Sequence, residues 1–262
     1  MKIAVISDIH ANLHALEAVF ADLYAEQVDT VYCLGDLVGY GAFPNEVVGF
    51  IHDHRIPAVL GNFDEAAAFD LHKPGCREND VDEYWKVMEN FRWTKDVLSD
   101  ANRSFLQTLP MQLRFKAGSR RVLLVHGSPR RINEYLMADL PIATFEQVSR
   151  LAGCELLCVG HTHEQYHRRT GMTSIINPGS VGIPLEGTKA EYAILDLSWR
   201  LQVDFRRVDY DVESAVKALK NRNLPVPASM ESTRHSQQIN RSPAELYRTN
   251  KLSNEKNLSK IG

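Results

Sequence analysis

The amino-acid sequence predicts an α/β protein whose chemistry sits at the carboxyl edge of a sheet. Two observations carry that expectation. Short β-branched apolar runs alternate with stretches of amphipathic three-four spacing, and the apolar runs repeatedly end in Asp, Asn or His. The first ten residues set the pattern. Residues 3–6 are too few for a stable helix and read as a buried strand, which stops abruptly at Ser7-Asp8-Ile9-His10. On an extended chain, Asp8 and His10 share a face where two metal-ligand types can converge. Capping by Asp8 beside an exposed His10 is the plain alternative, and recurrence of the arrangement down the chain weighs against it.

The remaining elements follow in order. Leu13, Leu16, Val19, Phe20 and Leu23 carry the spacing of an amphipathic helix. Residues 29–34 form a second apolar run ending in Gly35-Asp36, where a glycine lets the backbone turn tightly before the acid. A turn-rich loop over 37–44 leads to a helix near 45–54, and 57–60 reads as a third strand ending in Gly61-Asn62-Phe63-Asp64. Residues 65–109 lack strand alternation and read as a helical insertion. Within it, Tyr84, Met88 and Phe91 fall on one helical face. Such a face is ordinarily core; a cap offering an aromatic ring to a nucleobase or aryl group is the functional alternative.

Strands follow near 111–116 and 121–125, joined at Ala117-Gly118-Ser119, the second ending in His126-Gly127-Ser128. A helix near Ile142–Ala152 precedes a strand over 156–159 that ends in Gly160-His161-Thr162-His163. Residues 174–176 then lead to Asn177-Pro178-Gly179-Ser180, strands are expected near 191–197 and 201–208, and a helix around 212–221 closes a domain of residues 1–222. Residues 228–262, rich in Ser, Asn and Arg, read as a disordered basic tail.

Composition excludes several classes of function. At 262 residues and 44% hydrophobic content the chain can bury a full core. Thirty Lys and Arg against 33 Asp and Glu leave no global basic field for nucleic acid or an anionic membrane. No apolar stretch approaches bilayer length and Met1 runs straight into the first strand, so a cytoplasmic protein is expected. The four cysteines form no CxxC pair, and Cys33 and Cys158 lie in apolar runs as core residues.

The run ends together deliver Asp8, His10, Asp36, Asn62, His126, His161 and His163. Clustered carboxylates and imidazoles repel or stay unsatisfied without a cation. Nitrogen and oxygen ligands without thiolate suit Mn, Fe, Zn or Ni. Seven ligands exceed one ion and suit two that share a carboxylate. In order and type, Asp8-x-His10, Gly35-Asp36, Gly61-Asn62, His126 and Gly160-His161-x-His163 resemble the calcineurin-like metallophosphoesterase family. The flanking Ala11-Asn12, Gly39-Tyr40-Gly41 and Asn177-Pro178-Gly179-Ser180 resemble its bacterial and archaeal phosphodiesterase or diadenosine-tetraphosphatase-like branch.

The resemblance implies a four-layer α/β/β/α sandwich and two divalent transition-metal ions, Mn first among them. Asp8, His10, Asp36 and His163 would hold one ion. Asp36, Asn62, His126 and His161 would hold the other, with Asp36 bridging. It further implies in-line attack by a metal-bridging hydroxide on a phosphodiester or phosphoanhydride of a nucleotide or other phosphorylated small molecule, with Asp36, Asn62 and His126 at the reacting centre. Asn12, Tyr40 and Arg130 are candidate substrate contacts.

One departure matters: Phe63 stands where the family usually has histidine. Phenylalanine cannot protonate a leaving oxygen, a contribution typically worth about 10²–10⁴-fold. Good substrates are therefore expected to have leaving groups that need little protonation, unless His14 or Tyr40 serves as a replacement donor. A phosphoprotein or small-molecule phosphomonoester phosphatase is the alternative function. A non-catalytic scaffold is the other, and the retention of every ligand position counts against it.

Overall fold

Alternate residues of the first strand, β1 (Lys2–Ile6), enter two different apolar cores, and this divides the molecule into layers. The computed structural model describes residues 1–76 and 81–230. Ile3 and Val5 pack with Val122, Leu124, Leu156 and Ile176 of a second sheet, while Ala4 and Ile6 pack against helices. The order after β1 is α1 (Leu13–Glu26), β2 (Thr30–Cys33), α2 (Pro44–Asp53), α3 (Asn62–Ala68), α4 (Val81–Val97) and α5 (Asp100–Thr108). There follow β3 (Gln112–Ala117), β4 (Arg120–Val125), α6 (Ile142–Ala152), β5 (Leu156–Cys158), β6 (Tyr166–Thr170) and β7 (Thr173–Asn177). The series ends with β8 (Ala190–Asp196), β9 (Gln202–Val208) and α7 (Val212–Asn221).

One sheet has the order β2-β1-β8-β9, with β1 and β2 parallel and β8 and β9 antiparallel. The other has the order β3-β4-β5-β7-β6, with a parallel centre of β4, β5 and β7 and antiparallel edges. Leu123, Val125, Leu157 and Ile175 face outwards onto Phe145 and Val148 of α6. Helices thus cover the outer face of each sheet, and the expected four-layer α/β/β/α sandwich is the architecture observed. Parallel strands β1, β2, β4 and β5 all discharge their carboxyl ends at the same side, which positions the site.

The structure corrects several local expectations. Residues 57–60 do not form a strand of their own: they make a single parallel bridge, Cys33 to Ala58, beside the end of β2. Proline at 57 has no N–H to extend a ladder. β6 was not foreseen, because only Tyr166 of its residues is buried and His-Arg-Arg shows no apolar alternation. α3 begins at Asn62, earlier than the helical segment expected from 65. Met88 and Phe91 of α4 are buried as core and Tyr84 packs against them, whereas Trp85 is exposed. Beyond Pro227, Ala228–Met230 still forms a 3-10 turn with Met230 buried, so packed structure extends past the expected start of the tail. The rest of the expected tail, 231–262, lies outside the described residues. No helix among the described residues is long and apolar enough to cross a membrane.

Candidate metal centre

The seven candidate ligands lie just after four strands and at the start of one helix. Asp8 and His10 follow β1, Asp36 follows β2, Asn62 opens α3, His126 follows β4, and His161 and His163 follow β5. Six of the seven are buried and His163 is half-buried. Two groups result, Asp8 with His10 and His163, and Asp36 with His126 and His161, each with its donor atoms within 4.8 Å of one another. Asn62 Oδ1 joins the second group at 2.9 Å from His126 Nε2. The groups adjoin: Asp36 Oδ2 is 3.3 Å from His126 Nε2 and 3.8 Å from His10 Nε2.

Backbone carbonyls set the ring orientations. His10 Nδ1 donates to Val38 O at 3.1 Å, His126 Nδ1 to Leu34 O at 2.8 Å, and His163 Nδ1 to Ile183 O at 2.7 Å. A carbonyl can only accept, so these bonds put the proton on Nδ1 and leave Nε2 facing inwards. The carboxylates are tethered by one oxygen each. Asp8 Oδ2 accepts from Ser7 Oγ at 2.5 Å and His161 N at 3.0 Å, and Asp36 Oδ1 accepts from Phe63 N at 2.8 Å. Their other oxygens point at the imidazoles.

This arrangement fits cations and little else. His10 Nε2 and His163 Nε2 face each other at 3.2 Å, and Asp8 Oδ1 and His161 Nε2 are buried with no hydrogen-bond partner among the described residues. Acceptors converging on acceptors need a shared positive charge. The backbone is strained to achieve it: Asp8, His10, Asp36, His161 and His163 all have φ between +49 and +65°. For a non-glycine residue such a conformation costs on the order of 1–3 kcal/mol and persists where surrounding structure imposes it.

Under chelation, protons would take the cations' place. Burial disfavours charge on His126, but Asp36 and Asp8 beside it raise its pKa to about 9. Burial pushes His10 down to about 4 and His161 down to about 3. Burial also works to raise Asp8, yet His163 and His126 hold its carboxyl well below the usual range. A raised histidine stabilises the fold below its unfolded value of 6.5, and that contribution disappears as pH rises through 9. The depressed histidines contribute above 6.5, and their contribution disappears as pH falls towards 4 and 3. Metal-stripped protein should therefore lose Tm as pH rises from about 6.5 through 9, the direction in which the raised carboxyls of Asp64 and Glu191, each pushed up to about 7 by burial, also act. Calorimetry in chelator from about pH 4 to 10 checks this; a Tm still climbing at pH 9 would contradict it.

Phe63 is buried and stands with its ring centroid 5.2 Å from His10, 5.1 Å from Tyr40 and 5.9 Å from Phe91. It is an apolar wall on the His10 side. Tyr40 lies edge-on to His10 at 4.8 Å. His14, the other donor considered, packs on Phe43 instead. Two candidate substrate contacts are occupied internally. Asn12 is the cap of α1, its Oδ1 accepting from Ala15 N and its Nδ2 donating to Gly182 O, at 2% exposure. Arg130 forks onto Glu134, which also accepts from Ser128.

The sequence reading missed three contributors. Asp64 accepts from Leu37 N, Val38 N and Gly61 N at 2.8, 3.2 and 3.1 Å, tying the Asp36 loop to the Asn62 turn. An acid three residues after Gly61 is the spacing that could have revealed it. Ser180 Oγ donates to Asp8 O at 2.8 Å. The ring of Tyr135, outside any motif, lies 4.2 Å from that of His161.

Comparison with known proteins places the chain in a family. Residues 1–200 match the calcineurin-like phosphoesterase superfamily domain. An uncharacterized protein of Methanocaldococcus jannaschii is 34% identical over 241 residues, covering 85% of this chain and 93% of the relative. The phosphodiesterase YfcE of Escherichia coli K12 is 27% identical over 208 residues, covering 75% and 88%. Among solved structures, a metallophosphoesterase from Sphaerobacter thermophilus superposes with a TM-score of 0.69 at 33% identity, covering 88% of this chain and 96% of its own. A hypothetical protein from Pyrococcus horikoshii OT3 gives 0.74 at 26% identity, covering 86% and 94%. The chain belongs to the calcineurin-like phosphoesterase superfamily and is a metal-dependent hydrolase of phosphoester bonds.

Proposed function

We propose that the protein hydrolyses a phosphodiester or phosphoanhydride of nucleotide type, with diadenosine tetraphosphate as a representative substrate. The observation that carries this reading is the pair of adjoining groups, each with one buried atom that has no hydrogen-bond partner among the described residues, Asp8 Oδ1 in one and His161 Nε2 in the other. Asp8, His10 and His163 would hold one divalent transition-metal ion, and Asn62, His126 and His161 a second, with Asp36 common to both. Two such ions, Mn being the first to test, supply an activated water and positive charge on the phosphoryl oxygens.

The protein's own residues do the rest. Val38, Leu34 and Ile183 carbonyls hold three imidazoles in one tautomer, so no reorientation is needed when substrate arrives. Ser7 and the His161 amide restrain one Asp8 oxygen and leave the other for binding. Phe63, with Phe91 behind it, keeps water from the His10 side and offers no proton to a departing oxygen. Leaving groups that are stable as anions, a nucleoside phosphate or a phenolate, suit such a site. The name of the Escherichia coli relative supports diester cleavage.

The test is hydrolysis by metal-stripped protein reloaded with Mn, comparing diadenosine tetraphosphate, bis(4-nitrophenyl) phosphate and a phosphoserine peptide. Cleavage of the first two at rates on the order of 10² times that of the peptide, or more, is expected from the absent general acid. Comparable release of phosphate from the peptide would replace this reading with a phosphomonoesterase. Inactivity on all three with ions bound would favour a scaffold.

A further inference from the structure

Helix α4 carries a polar side chain that the centre does not touch. Val87, Met88 and Phe91 are buried in the main core, yet Asn90 among them is also buried, at 2% exposure. An amide in apolar surroundings is costly unless its donors and acceptor are used. Asn90 directs its donors at one loop: its Nδ2 donates to Tyr40 O at 2.7 Å and reaches Gly41 O at 3.4 Å, while its Oδ1 accepts from Thr94 Oγ1, one turn on in α4, at 3.3 Å.

The loop so held is strained and bears directly on one half of the centre. Tyr40 has φ of +60° and its neighbour Gly39 has +87°. Gly41 N donates to His10 O at 2.9 Å, Leu37 O accepts from Ala11 N at 2.8 Å, and Val38 O accepts from His10 Nδ1 at 3.1 Å. His10 is therefore oriented from both backbone and ring by residues 37–41. The second group takes its ring support elsewhere, His126 from Leu34 O.

We propose that Asn90 is a positioning residue for the metal group of Asp8, His10 and His163, acting through the 37–41 loop and leaving the group of Asp36, His126 and His161 largely unaffected. By this account the helical segment between β2 and β3 does more than cover the sheet: one amide on it sets the geometry of one of two ion sites. The inference rests on the reading that the protein binds two ions.

The experiment is titration of the metal-stripped full chain with Mn, following free Mn by its electron paramagnetic resonance signal, for the native protein, Asn90→Leu and Val87→Ala. His10→Ala and His161→Ala identify which of the two binding steps belongs to which group. Asn90→Leu should weaken the step lost in His10→Ala by about 10–100-fold, the usual effect of removing an outer support, and leave the step lost in His161→Ala within about threefold. Val87→Ala loosens the same helix without removing a hydrogen bond to the loop and should change neither step. Equal weakening of both steps by Asn90→Leu, no weakening, or the same selective loss in Val87→Ala would overturn the positioning role. Uptake of one ion by native protein would instead overturn the two-ion reading, and this inference with it.

Discussion

Asp36→Asn is expected to lower phosphodiester hydrolysis by at least about 10³-fold while leaving the protein folded. The substitution is nearly isosteric, and the amide oxygen can still accept from Phe63 N, as Asp36 Oδ1 does at 2.8 Å. What it removes is the negative charge at Oδ2, which lies 3.3 Å from His126 Nε2 and 3.8 Å from His10 Nε2 and so faces both groups. On the proposed two-ion reading, losing the carboxylate common to both ions would weaken both, and the ions' stabilisation of transition-state charge is worth several kcal/mol, which at about 1.4 kcal/mol per tenfold gives the stated loss. Steady-state rates on bis(4-nitrophenyl) phosphate, with metal content measured on the same samples, decide it. Activity within tenfold of native at full metal content would mean that Asp36 is not shared.

Gly61→Ala should be among the most destabilising single changes in the protein. The backbone there is ordinary, φ −90° and ψ 170°, so conformational strain is not the reason. Space is the reason: an added Cβ would overlap Asp36 N and Oδ1 and stand 2.8 Å from Asp36 Cα. The neighbour is backbone, anchored by Asp64 through Leu37 N and Val38 N, and cannot swing aside. Overpacking of this kind costs about 3 kcal/mol or more, lowering Tm by roughly 6–12 °C for a chain of this size. Gly49→Ala is the contrast. It lies inside α2 with nothing within 4 Å of the added carbon, and should raise stability by about 0.5–1 kcal/mol. Thermal unfolding of both variants in chelator is the measurement. A Gly61→Ala protein as stable as native would show that the approach of the 61–64 turn to Asp36 is looser than described.

The layered α/β architecture and the seven residues of the candidate centre were legible in the sequence for a common reason. Parallel strands buried on both faces must be short apolar runs, and where such a run stops in Asp8, Asp36, His126 or His161 the polar residue has nowhere to sit but the edge of the sheet. Local composition is enough to read that. It was not enough for β6, an edge strand whose residues after Tyr166 are largely exposed, or for 57–60, where Pro57 reduces an apolar run to a single bridge. Whether an apolar run pairs depends on its neighbours, which composition does not record.

The sequence by itself determined which side chains are available as ligands and that Phe63 withholds a proton donor. Only the tertiary structure decided what those residues are free to do. Asn12 and Arg130 are polar and lie close to the motifs, but each is satisfied by partners inside the protein, Ala15 and Gly182 for one and Glu134 for the other. Asp8 and His161 are instead left with atoms that have no hydrogen-bond partner among the described residues, and five site residues are held at positive φ. The physical reason is that hydrogen bonding and strain depend on which segments meet. Residues 8, 36, 126 and 161 come together only when two sheets close on a shared core, and that closure, not the motif, gathers their oxygen and nitrogen atoms into a candidate metal centre.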